Sequence, residues 1–170
     1  DMNFKNKKMN KSVRYSLLFT LILIIGSCGK KLSYNYELLC NGVGVNGIYL
    51  VKCYSYGSSF EKARKKVKKD AVHGILFKGV SGNSNKGCRA QPPICNVNYD
   101  DNIEWFENFF ESGQYEQYVT LSNDGNVSAS DRIKIKRGYK VGFTVAVKSD
   151  MLRTKMIKEG FAKKMDIFDN

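Results

Sequence analysis

Asn46-Gly47, set between two runs of β-forming residues, constrains the fold of this chain more than any other feature. Glu37 to Val45 lies on one side and Ile48 to Tyr56 on the other, and an Asn-Gly pair between such runs is the strongest short-range signal of a β-hairpin. A two-residue type I′ loop at 46–47 pairs residues whose numbers sum to 93. Val45 then faces Ile48, Val43 faces Leu50 and Cys40 faces Cys53. The 40–53 position is a non-hydrogen-bonded pair, where Cα atoms approach to about 4.5 Å. That lies near the short limit of roughly 4.4 Å for a disulfide, so a cross-strand bridge is geometrically feasible. The letters Gly42-x-Gly44-x-x-Gly47 also spell a dinucleotide-binding loop, but that loop opens a helix. Ile48 to Tyr54 reads as a strand, and the nucleotide reading is rejected.

The first 27 residues are read as lying outside any such fold. Lys5, Lys7, Lys8, Lys11 and Arg14 make a basic segment, and Leu17 to Ile25 follows as an apolar run of nine residues. A membrane-spanning helix needs about 20. The order basic, apolar, small is that of a secretory signal. Asp1 is not a normal start; Met2 and Met9 are the candidate starts. The sequence Ile25-Gly26-Ser27-Cys28 resembles the lipobox of bacterial lipoproteins. The resemblance implies cleavage before Cys28, a diacylglyceryl thioether and palmitate on that cysteine, and a membrane anchor. Two acyl chains suffice for stable attachment at about 0.8 kcal/mol per buried methylene. Gly29-Lys30-Lys31 is unlike the acidic runs associated with surface export, and the expected location is the outer membrane, facing the periplasm.

Of 28 basic and 16 acidic residues, five and one fall in residues 1–28, so the remainder carries 23 − 15 = +8. That balance favours anionic headgroups or acidic partners; the expected address argues against nucleic acid. Four cysteines remain beyond Cys28, namely Cys40, Cys53, Cys88 and Cys95, and an even number outside the cytoplasm suggests pairing. The register favours 40–53, which leaves 88 with 95 across a loop stiffened by Pro92 and Pro93. Buried free thiols are the bland alternative. A zinc site is disfavoured because neither spacing is C-x-x-C and the one histidine, His73, lies in a helical pattern. No metal and no cofactor are expected.

Ser58 or Ser59 can cap a helix running to about Phe77, with Phe60, Ala63, Val67, Ala71, Ile75 and Leu76 at helical spacing. Lysines and an arginine fill the other positions, and Lys65, Lys66 and Lys69 are candidate partner contacts. Gly79 to Asp101 reads as a long loop, the first candidate for a recognition surface, with Arg89 and Gln91 as contacts. Asp101 can cap a second helix that holds Ile103, Trp105, Phe106, Phe109 and Phe110 and ends near Gly113. A strand over 115–122, a turn at 123–126, strands at 132–136 and 139–148, and a final helix capped by Ser149 or Asp150 complete the order. That last helix is expected to point Met151, Leu152, Met156, Ile157 and Phe161 at the core. The class is α+β: an antiparallel sheet with an N-terminal β-hairpin and about three helices packed on it. The expected divisions are a signal peptide at 1–27, a lipidated tether at 28–35, a domain at 36–165 and a tail at 166–170.

The hairpin followed by Glu61 to Gly74 resembles a small α+β domain of Gram-negative envelope lipoproteins and of flagellar and secretion-assembly proteins. Its A-x-x-x-A-x-x-x-A helix corresponds to Ala63, Val67 and Ala71 here, with Val67 where a second alanine is usual. The resemblance implies a non-catalytic structural or docking module with an envelope protein partner. No Ser-His-Asp set or metal-ligand cluster is visible, so the chain is read as no enzyme. The alternative is a cell-wall or glycan-directed enzyme or small-ligand-binding lipoprotein. A third reading gives Cys40–Cys53 a thiol-redox role.

Overall fold

The computed structural model describes residues 34–45 and 47–164. The lipobox cysteine Cys28, the signal segment, most of the tether and the tail at 166–170 lie outside the described residues. The described residues, from Tyr34 to Lys164, belong to one compact unit.

Strands β1 (Tyr36–Val43) and β2 (Ile48–Gly57) form the N-terminal hairpin, followed by helix α1 (Phe60–Phe77). After an irregular stretch come α2 (Ile103–Glu111), β3 (Val119–Leu121), β4 (Arg132–Ile135), β5 (Gly138–Lys148) and α3 (Ser149–Lys158). The sheet is antiparallel throughout. β5 lies beside β2 on one edge, while β3 and β4 share its other edge at opposite ends. This is the expected α+β architecture, element for element.

Alternation sorts the sheet into two faces. Tyr49, Val51, Cys53 and Ser55 of β2 and Val141, Phe143, Val145 and Val147 of β5 are buried on one face. Against it packs α1, whose Ala63, Val67 and Ala71 are fully buried, as do Leu152 and Met156 of α3. Phe106, Phe109 and Phe110 of α2 fill the end of the same core. On the opposite face Lys52 Nζ meets Asp131 Oδ2 at 2.6 Å and Lys140 Nζ meets Glu37 at 2.7 Å.

Local rules explain most boundaries. Ser59 caps α1 by accepting from the Lys62 amide, as expected. Asp101 does not cap α2; it sits in a 3₁₀ turn (Asp100–Asn102), and Asn102 occupies the cap position with its side chain donating back to the Asn98 carbonyl rather than capping the helix. The expected strand over 115–122 is shorter, because a 3₁₀ turn (Gln114–Tyr118) buries Tyr115 and Tyr118 before β3 begins. Neither Ser149 nor Asp150 caps α3: Ser149 Oγ donates instead to the Gly47 carbonyl at 2.7 Å, tying the helix to the hairpin end. Leu152 and Met156 of α3 face the core as expected and Ile157 and Phe161 pack against it, but Met151 is 55% exposed.

The hairpin register is where sequence and structure part most clearly. Gly44 donates to the Ile48 carbonyl at 2.9 Å, so three residues rather than two connect the strands, with Gly47 at φ +68°. A bulge between Cys40 and Gly42, with Gly42 at φ +151°, shifts the pairing once more. Cys53 therefore faces Leu38, and Cys40 faces Val51.

Candidate functional site

Cys40 is bonded to Cys88, with Cα atoms 6.2 Å apart, while Cys53 and Cys95 are buried free thiols. The expected 40–53 and 88–95 pairings are thereby corrected. Both Cys40 and Cys53 point into the core, but the two register shifts carry them out of opposition. Burial pushes the Cys53 thiol well above its usual range and that of Cys95 up to about 12. Thiols held protonated in apolar surroundings are inert, so a redox pair at 40–53 has no basis in this geometry.

The bridge pins the segment between α1 and α2 against the hairpin. Val80 and Gln91 exchange backbone hydrogen bonds at 2.8 and 2.9 Å, and Asn83 and Cys88 at 2.9 Å. Ile94 and Cys95 donate to the carbonyls of Ile75 and Leu76, and the Tyr49 hydroxyl donates to the Arg89 carbonyl. Gly79 turns out of α1 at φ +71°, where a Cβ would stand 2.3 Å from the Gln91 carbonyl oxygen. A stretch that reads as loose from its Gly, Ser, Asn and Pro content is thus a folded, cross-linked flap.

Between the flap, the end of α1 and the start of α3 is a pocket of about 70 Å³. Ile75, Val80, Pro92 and Ile94 supply apolar walls; Tyr49, Gln91, Asp150 and Arg153 supply polar ones. Its size suits one side chain or a small molecule. Arg89 and Gln91 are both exposed on the flap, Gln91 in the pocket rim. The other expected contact residues lie elsewhere. Lys65 is exposed on α1, Lys66 Nζ is 4.0 Å from the Asp70 carboxylate, and Lys69 Nζ pairs with Glu111 at 2.6 Å. No hydrogen bond or ion pair among the described residues joins these lysines to the flap. The structure therefore divides the expected contact set in two.

A second polar cluster sits in the core. His73 is 7% exposed, with Tyr34 stacked on its ring at 3.5 Å and the Tyr36 hydroxyl 2.6 Å from its Nδ1. Burial, aided by the charge of Lys78, lowers its pKa to about 3, so it is neutral. Asp70, fully buried, accepts from Ser55 at 2.6 Å through one oxygen, while the other has no partner among the described residues. Burial raises its pKa. Ser55, Asp70 and His73 are the three types of a hydrolytic triad, yet Ser55 bonds directly to Asp70 and His73 bonds to Tyr36. Among the described residues no serine hydroxyl is paired with His73, so these three side chains do not form the relay of a hydrolytic triad. His73 also floors an open groove with Tyr99, Asp100 and Asp101.

No described helix is long and apolar enough to cross a membrane, and no group of three or more His, Cys, Asp or Glu among the described residues could hold a metal ion. Comparison with protein-family models, curated proteins and solved structures finds no match for this chain. The flap and its pocket are invisible to spacing rules. The one local signal was the glycine pair Gly42 and Gly44, which marks a bulge inside a strand and hence an unsafe register.

Proposed function

We propose that this chain is a lipoprotein anchored through Cys28, with a non-enzymatic α+β domain that docks on another envelope component outside the cytoplasm. The observation that carries this is the Cys40–Cys88 bridge. Structural disulfides persist in oxidising compartments and are rare in the cytosol, in accord with the lipobox resemblance of residues 25–28. The same bridge holds the flap in place before any partner arrives. Binding that needs no ordering of a loop avoids its entropic cost. A pocket the size of one side chain, rimmed by exposed Gln91 beside Arg89, fits the anchor-in-pocket pattern of protein interfaces. An outer-membrane position facing the periplasm is the favoured address.

Affinity capture of the lipidated protein from cross-linked envelopes tests this. A reproducible envelope protein, lost when Arg89 and Gln91 are both changed to Ala, is the expected result. Recovery of only the bait, or a partner indifferent to those changes, would overturn it. The pocket supports one further reading, a small-ligand-binding or glycan-directed lipoprotein, because Asp150, Arg153 and Tyr49 converge there. Thermal stabilisation by cell-wall glycan fragments, abolished by Arg153→Ala, would favour that reading over docking.

A further inference from the structure

The charge of this domain is segregated. From Ala90 to Asp131 the chain holds eight acidic residues and no basic one, so its positive charge falls on the remainder. The fold then concentrates part of it at one end. The β4–β5 turn abuts the residues ahead of α1, where a Cβ on Gly138 would lie 2.2 Å from the Gly57 carbonyl oxygen and 2.9 Å from Ser58 Cα. Across that junction the Arg132 guanidinium sits 3.9 Å from the Phe60 ring centroid. Arg64 and Lys65, early in α1, thereby share one end of the molecule with Arg132, Lys134, Lys136 and Arg137.

All six are exposed. Five other lysines, Lys52, Lys66, Lys69, Lys140 and Lys155, each meet a carboxylate. Among the described residues none of the six does. Glu61, Asp124 and Asp131 are the acids at the margin: Asp131 is held by Lys52 at 2.6 Å, and Asp124 is next to Gly125, where a Cβ would lie 3.3 Å from an Arg64 nitrogen. Ile133, 43% exposed, lies opposite Lys140 and so on the other sheet face from Arg132 and Lys134.

We propose that this basic end docks on a bilayer surface bearing anionic, phosphate-containing lipid headgroups. Charge complementarity carries the assignment: six exposed cations gathered at one end, none meeting a carboxylate among the described residues, match an anionic lipid surface. The inference rests on the proposed membrane address for its biological setting, but not for its test. Residues 34–170 hold the whole described core and lack Cys28, so they report on the surface independently of the anchor.

Their binding is measured by co-sedimentation with vesicles of phosphatidylcholine containing 30 mol% phosphatidylglycerol, against phosphatidylcholine alone, at about 50, 150 and 500 mM salt. Binding to the anionic vesicles only, lost at high salt, is expected. Each cation contributes about fivefold in partitioning. The triple variant K134E/K136E/R137E should therefore bind on the order of 100-fold more weakly. The control triple K158E/K163E/K164E, at the α3 end, should change binding far less. Circular dichroism and urea midpoints verify that both variants fold. The proposal is overturned by no binding at the lowest salt, by equal losses in the two triples, or by tighter binding to a soluble polyanion of matched charge such as heparin. Failure of the anchor reading is seen separately, as an unacylated Cys28 in the mass spectrum of the full chain.

Discussion

Replacing His73 with Gln should make the domain less sensitive to acid. In the folded state His73 has a pKa of about 3, against an ordinary value of 6.5. The folded form therefore holds this proton less tightly than the unfolded one. The stability it contributes is complete above about pH 6.5 and is lost as pH falls from there toward 3. At pH 4.5 the loss is about 3 kcal/mol, two pH units at roughly 1.4 kcal/mol each. That figure depends little on the folded-state value so long as it stays below about 4. Asp70 acts in the opposite direction, because its raised pKa makes the folded state the tighter proton binder on acidification. The difference between wild type and His73→Gln removes that contribution. A glutamine amide can still bond the Tyr36 hydroxyl, but it loses the Tyr34 stack, costing about 1 kcal/mol at pH 7.5. Urea unfolding followed by Trp105 fluorescence should show wild type ahead at pH 7.5 and the variant ahead at pH 4.5. A gap that stays constant to within about 0.5 kcal/mol would refute the burial argument.

Three further outcomes follow from the same geometry. Asp70→Asn keeps an acceptor for Ser55 and removes a buried charge; it should raise stability at pH 7.5, and the gain should fade on acidification as the carboxyl protonates in both folded and unfolded chains, as read from chemical denaturation at pH 7.5 and pH 3. Cys40→Ala with Cys88→Ala opens a loop with a sequence separation of 48 and should lower stability by about 4 kcal/mol or less, with an unchanged urea midpoint counting against the pairing. Gly79→Ala meets both a positive φ and the Gln91 carbonyl, and a cost of about 1–3 kcal/mol is expected in thermal melts.

How much of this was legible in the sequence varies with range. Helix α1, its Ser59 cap and its Ala63, Val67, Ala71 face follow from local periodicity, and so do β4, β5 and the order of all eight elements. The hairpin was legible but its register was not. Asn46-Gly47 suggested the shortest loop, whereas the chain uses three connecting residues and adds a bulge at Gly42. Each change moves the pairing by one residue, and together they separate Cys40 from Cys53. The true partner, Cys88, comes from a flap 48 residues away that returns over the hairpin, a non-local contact that strand arithmetic cannot reach. On α3 the face of Leu152 and Met156 was legible, but Met151, about 100° round the helix from Leu152, falls off that face and stays exposed. The pocket draws residues from β2, α1, the flap and α3, so no single segment carries its signature.

The central claim is an acylated, oxidised domain outside the cytoplasm. Non-reducing mass spectrometry of the mature protein purified from membranes tests it most directly. The account predicts a chain that starts at Cys28 and carries a diacylglyceryl group, with one disulfide linking the Cys40 and Cys88 peptides. A chain still bearing residues 1–27, or a mature chain with Cys40 and Cys88 as free thiols, would contradict it.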